Sequence, residues 1–151
     1  MALIDKVAIG NRIEDLLFNY DKSILSTDMD IKTLNPLEFE SFCAKILREN
    51  DWAASTTKGS GDQGIDVIAE KNGITAIFQC KKYSSPIGNK AVQEAIAGKV
   101  FASADYAFVV SNAEYTPSAK ELAVKSGIHL FHYTQLKEID QYLFKNVATS
   151  E

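Results

Sequence analysis

Apolar residues recur along this chain in two rhythms, and the changes between them outline its elements. Between residues 3 and 20, Ile9, Ile13, Leu16, Leu17 and Tyr20 fall at helical spacing and predict an amphipathic helix, followed over 21–34 by a linker. A second helix opens at Asn35-Pro36-Leu37-Glu38, where Asn35 caps, Pro36 sits in the first turn and Glu38 reaches back to the cap. Phe39, Phe42, Cys43, Ile46 and Leu47 form its apolar stripe. A strand is expected from Trp52 to Thr57, and the loop Lys58-Gly59-Ser60-Gly61-Asp62-Gln63-Gly64 leads out of it.

Two apolar-rich runs, Ile65 to Glu70 and Ile74 to Cys80, flank Asn72-Gly73, a pair suited to a two-residue hairpin turn. Downstream the pattern predicts a helix from Lys90 to Ala102 and a buried strand from Tyr106 to Val110. A helix from Thr116-Pro117 to the residue before Gly127, a strand from Ile128 to Phe131 and a closing helix over 134–144 complete the chain. This order predicts an α/β fold, a mixed β-sheet flanked by helices.

If Asn72-Gly73 is the turn, Lys71 faces Ile74 and Asp66 falls opposite Gln79. Alternation then puts Asp66, Ile68, Ile77, Gln79 and Lys81 on one face, and Ile65, Val67, Ala69, Ala76, Phe78 and Cys80 on the other. The second face is wholly apolar and belongs against the core. The first is therefore expected to present a carboxylate, an amide oxygen and an ammonium to solvent, close together.

That trio suits phosphodiester hydrolysis with a hard divalent cation. Asp66, the side-chain oxygen of Gln79 and the backbone carbonyl of Cys80 are candidate ligands for Mg²⁺, which Mn²⁺ can replace. Lys81 would hold the attacking water and offset charge on the phosphate. One carboxylate is thin for Mg²⁺, so a second acid is expected from another element. Glu38 has its capping role, which leaves Glu40 the preferred helical acid, with a solvated helix glutamate as the plain alternative. Asp62 could assist, although an aspartate in such a loop more often stabilises a turn.

Composition narrows the partners. The chain has 151 residues and a net charge of −4, which argues against coating nucleic acid by bulk charge. From residue 71 to 99, however, five lysines stand against the single acid Glu94, a basic strip suited to a polyanion on one side. Lys58, Lys82 and Lys90 are the candidate DNA contacts. No apolar run approaches the ~20 residues that span a bilayer, so a cytoplasmic protein is expected. Cys43 and Cys80 read as buried small hydrophobes, and His129 and His132, three apart on a strand, point to opposite faces and form no joint site.

The stretch Gly59-Ser60-Gly61-Asp62-Gln63-Gly64-Ile65-Asp66-Val67 followed by Phe78-Gln79-Cys80-Lys81 resembles the catalytic domain of Mrr-like type IV restriction endonucleases, within the PD-(D/E)XK nuclease superfamily. Glutamine replaces the motif's acid in that family, and Gln79-Cys80-Lys81 looks like this variant. Pro36-Leu37-Glu38-Phe39-Glu40 resembles the family's Phe-Glu helix, which favours Glu40. Val92-Gln93-Glu94, Phe108-Val109-Val110-Ser111 and Ser118-Ala119-Lys120-Glu121-Leu122-Ala123 follow in the family's order, so the likeness spans about residues 35–139.

The resemblance implies a restriction-endonuclease-like fold and a metal-dependent DNA endonuclease serving restriction or defence against foreign DNA. The expected organisation is an N-terminal helix and linker over 1–34, a nuclease domain over 35–145 and a tail over 146–151. Many family members read modified DNA through an N-terminal domain. The 34 residues here are too few for one, so the first helix is expected to mediate dimerisation or to dock a separate recognition partner. Double-stranded DNA is the expected substrate and a homodimer or higher homo-oligomer the expected assembly. The alternatives are a DNA-binding module that keeps the fold but cuts weakly, and a structural protein whose polar hairpin is only surface.

Overall fold

The computed structural model describes residues 28–57 and 64–149. The chain divides at Leu34/Asn35 into two units. In the first, helix α1 runs from Asp28 to Thr33, so the segment expected to be a linker is partly helical. Neither Gly nor Pro interrupts it, and Lys32 in its last turn complements the helix dipole. The predicted amphipathic helix over 3–20 lies outside the described residues.

The second unit is organised by the Asn72-Gly73 turn. Both residues take positive φ, 54° and 80°, a conformation that Asn and Gly tolerate and whose twist matches that of paired strands. Lys71 consequently pairs with Ile74, and the ladder runs in the register read from sequence as far as Val67 opposite Phe78; the expected Asp66–Gln79 pair is not formed, because the Asp66 N–H turns to the Phe78 carbonyl. Strands β1 (Ala53–Thr56), β2 (Val67–Lys71), β3 (Ile74–Lys81), β4 (Tyr106–Ser111) and β5 (His129–His132) form one sheet in chain order. The first three are antiparallel, whereas β4 and β5 join in parallel beyond β3.

Parallel neighbours need crossovers. Helices α3 (Asn89–Ala102) and α4 (Pro117–Ser126) supply them. Both pack on the Ile77 face, where Ile77, Ala107 and Val109 bury against Ala91, Val92, Ala95, Ala119 and Ala123. On the other face Phe78 stacks on Phe108 at 5.0 Å, and Phe108 meets Phe131 edge-on at 4.9 Å. Helix α2 (Pro36–Glu49) buries Phe39, Cys43 and Leu47 completely. Each large apolar side chain so buried contributes about 1.5–3 kcal/mol. The expected capping box is present, with Asn35 accepting from the Glu38 N–H at 2.8 Å and Glu38 accepting from the Asn35 N–H at 2.9 Å.

A 3-10 helix (Tyr133–Glu138) and helix α5 (Ile139–Thr149) close the chain. The stretch expected to be a tail from residue 146 is helical to Thr149, since neither Gly nor Pro interrupts it. Trp52 donates from Nε1 to Asp140 at 2.7 Å, and Lys71 pairs with the same carboxylate, tying α5 to the turn end of the hairpin.

Two expectations about faces are corrected. The Ile77 face is not a solvent surface, because α3 and α4 cover it; Asp66 and Gln79 are 8% and 6% exposed. Ile65 packs with Ile77 rather than with Val67, because β2 begins only at Val67 and strand alternation does not extend back to Ile65.

The loop and α3 meet backbone to backbone at two glycines. A Cβ on Gly98 would lie 2.5 Å from the Gly64 carbonyl oxygen. Helix propensity alone would make Gly98→Ala stabilising by about 1 kcal/mol. We expect instead a net loss of about 1–3 kcal/mol in urea denaturation, from forced displacement of Gly64. Gly88→Ala, where a Cβ meets nothing within 4 Å, should cost no more than about 1 kcal/mol, the deficit of Ala against Gly at the N-cap of α3.

Candidate active site

At the end of the hairpin opposite its turn, β2 and β3 begin to part. The Asp66 N–H still donates to the Phe78 carbonyl at 2.9 Å. The next donor on β3, the Cys80 N–H, is taken by the Asp66 side chain, with Oδ2 accepting at 2.8 Å. The carboxylate thus stands where a backbone acceptor would continue the ladder. Thr57 fixes the chain entering this position, donating from N–H to the Asp66 carbonyl at 3.0 Å and from its hydroxyl to the Ile65 carbonyl at 2.6 Å.

Gln79 Nε2 donates to the same Asp66 oxygen at 3.0 Å. Only the amide nitrogen can face a carboxylate, so Asp66 sets the amide's orientation. Gln79 Oε1 is thereby buried with no hydrogen-bond partner. Such an orphan acceptor costs about 1–3 kcal/mol and calls for a ligand.

Two helices add charge from opposite faces. From α2, the half-buried Glu40 carboxyl shares a hydrogen bond with Asp66; burial first, and the Asp66 charge second, push it from 4.5 up to about 7. Asp66 is raised as well, chiefly by burial, against the opposing pull of the Cys80 N–H and the Lys81 ammonium. From α3, Glu94 Oε1 lies 2.7 Å from Lys81 Nζ. The loop after β3 is held by Asn112, which accepts from the Tyr83 N–H and donates to the Tyr83 carbonyl, each at 2.9 Å.

Asp66, Gln79, Lys81 and Glu40 are therefore neighbours, as the register and the helical stripe suggested. They meet in a partly closed niche rather than on an open face. Cys80 joins through its backbone N–H, while its thiol, held up by the Cys43 thiol and by burial, is uncharged at neutral pH. Of the candidate DNA contacts, Lys82 directly follows β3 and Lys90 is exposed near the start of α3; Lys58, like Asp62, lies outside the described residues. His129 contacts Tyr142, and His132 caps the 3-10 helix, both on the edge strand β5.

Sequence reasoning gave no role to Glu94. Its signal was visible, as the one acid among five lysines. Asn112 was read only as the polar boundary of a strand.

The donor chemistry fits a hard cation. Among the described residues no group of three or more His, Cys, Asp or Glu is placed to hold a metal. The set here is mixed, with the Asp66 carboxylate beside an oxygen of Gln79 that lacks a partner. A cation would also relieve the crowding of the two carboxyls.

That crowding has a measurable consequence. Between 4.5 and about 7 the folded state holds the Glu40 proton that the unfolded chain releases. Stability therefore falls as pH rises through this window and stays low above it. Asp66 adds a slope of the same sign. In metal-free urea denaturation, Glu40→Gln should flatten this slope and stabilise the protein above pH 7 by on the order of 1 kcal/mol, after discounting for solvent screening.

Comparison with known proteins supplies the wider setting. No curated protein matches the chain. Among solved structures, the protein of unknown function AF1548 is 23% identical with a TM-score of 0.57, covering 66% of this chain and 59% of its own. The DNA modification-dependent restriction endonuclease AspBHI is 14% identical with a TM-score of 0.57, covering 81% and 35%. The MspJI restriction endonuclease, solved with a 27-mer oligonucleotide, is 14% identical with a TM-score of 0.51, covering 89% and 34%. The chain thus spans about three-fifths of the first and about a third of the others. These likenesses establish a restriction-endonuclease-like fold. The Mrr_cat family model, described as restriction endonuclease, matches residues 31–139, most of the chain, and the protein belongs to that family.

Proposed function

We propose that this chain is a Mg²⁺-dependent endonuclease that hydrolyses phosphodiester bonds in double-stranded DNA, in restriction or defence against foreign DNA. The observation that carries this reading is the buried, partnerless Gln79 Oε1 beside the Asp66 carboxylate, with Lys81 and Glu40 at hand. Asp66, Gln79 Oε1 and the Cys80 carbonyl would hold the ion, with Glu40 as a further ligand or as the group that holds water. Bound there, Mg²⁺ would supply Lewis-acid polarisation of the phosphate and a more acidic water. Lys81 would hold the attacking water and offset the negative charge growing on the phosphate. The Asp66 link to the Cys80 N–H would keep the carboxylate in place throughout.

One observation favours a second reading, a DNA-binding module that cuts weakly. Glu40 holds a proton to about pH 7, so an incoming cation must displace it. Cleavage assayed at both pH 7 and pH 8.5 separates the readings, since the nuclease should gain activity as Glu40 ionises and the binding module should stay inactive at both.

Cleavage of both strands needs two such sites, so two copies are expected to act together on DNA. Lys82, which directly follows β3, and the exposed Lys90, together with Lys58, would contact phosphates.

Purified protein should nick and linearise supercoiled plasmid with Mg²⁺ or Mn²⁺ and be inactive with EDTA. Asp66→Ala would strand the buried Cys80 N–H, so Asp66→Asn, which keeps an acceptor there, is the sharper variant. Asp66→Asn and Lys81→Ala should each lower cleavage by at least about 100-fold while remaining folded. Plasmid cutting at the wild-type rate by folded Asp66→Asn would reject the assignment.

Lys90→Ala should leave cleavage at saturating protein unchanged. Its binding should weaken, with the slope of log affinity against log salt reduced by up to about one, the loss of a single phosphate contact. Fluorescence anisotropy across a salt series measures it.

A further inference from the structure

We infer that Glu94 is a positioning residue that holds the Lys81 ammonium in place for the reaction, an assignment that rests on the nuclease reading above. Two separate contacts of α3 converge on this residue. Its Oε1 lies 2.7 Å from Lys81 Nζ, close enough for an ion pair although this buried oxygen accepts no hydrogen bond of ordinary geometry. Its carbonyl packs so closely on Gly64 that a Cβ there would come within 2.0 Å of the oxygen. Gly64 precedes Asp66 by two positions, and Lys81 ends β3. One residue of α3 therefore touches both arms of the hairpin where the site forms, by backbone on one arm and by side chain on the other.

The need for such a hold follows from the chemistry of lysine. Its flexible stem has much rotamer freedom to lose and ends in a point charge without preferred geometry. Lys81 also feels the acids Asp66 and Glu40. When those acids hold a cation their pull on the ammonium is largely cancelled, and the cation repels it. Glu94 belongs to the other helix and is not among the proposed ligands, so its attraction persists. The pair is partly sheltered, at 15% and 32% side-chain exposure, which shields it from the screening that makes surface pairs weak.

A bridge that merely fastened α3 to β3 would, when cut, change stability and leave the chemical rate of the folded protein alone. The test uses the full chain with Glu94→Ala and Glu94→Gln beside Lys81→Ala. Single-turnover plasmid cleavage with Mg²⁺, DNA affinity with Ca²⁺ in its place, and the ¹H–¹⁵N signal of the Lys81 ammonium in metal-free protein are measured. Glu94→Ala should slow cleavage about 10- to 100-fold, while affinity weakens by no more than about twofold, since the acid removed repels phosphate. Glu94→Gln, which retains an acceptor of the same shape, should keep more of the rate than Glu94→Ala and covers the case in which the alanine variant fails to fold. The ammonium signal, protected from exchange by the ion pair, should broaden in the alanine variant. Wild-type rates in both Glu94 variants beside an inactive Lys81→Ala would overturn the inference alone, as would a rate loss matched by equal loss of DNA binding. Absence of cleavage by the unaltered protein would overturn the nuclease reading, and this inference with it.

Discussion

The register between β2 and β3 is the constraint on which the site depends. A turn of two residues at Asn72-Gly73 sets it, and a slip by one position would carry Asp66 away from the Cys80 N–H and turn Gln79 toward Phe108. Nothing in Asp66, Gln79 or Lys81 enforces this alignment strongly. The enforcement comes from the aromatic stack of Phe78 on Phe108 and from Ile77 under α3, whose burial would be lost on both faces of the sheet at once. Large apolar forces thus position small polar groups, a common division of labour between scaffold and site.

The polar groups themselves work against stability. Two carboxyls meet in a niche where burial raises both, and one amide oxygen is left without a partner. A sequence selected for stability alone would fill this end of the sheet with apolar side chains. Local conflict of this kind, inside a domain whose other elements agree with their sequence signals, marks a candidate functional site.

Much of this was legible in the sequence because the signals were local. The Asn72-Gly73 turn gave the register, the Asn35-to-Glu38 box gave the start of α2, and strand alternation brought Gln79 and Lys81 to one face. What escaped depends on contacts distant in sequence. Whether the Ile77 face is open or covered depends on where the crossover helices lie, and the apolar–polar pattern of β2 and β3 alone is compatible with both. The Lys81–Glu94 pair is likewise a tertiary contact, since a charged residue on a helix carries no mark of its partner. The shift of Ile65 to the α3 side follows from the close approach of Gly64 to that helix, which strand alternation does not describe.

The hairpin is fastened at both ends. Trp52 and Lys71 bind Asp140 near the turn, and Thr57, Asp66 and the Cys80 N–H close the other end. A two-stranded ribbon held at one end only would flex, and each binding event would have to arrest that motion. Here the conformational freedom of the strands bearing Asp66, Gln79 and Lys81 is given up during folding. On the proposed reading, ligand capture would be left to order only side-chain tips, water and the substrate itself, and more of the contact energy would appear as affinity and as alignment of the reacting groups.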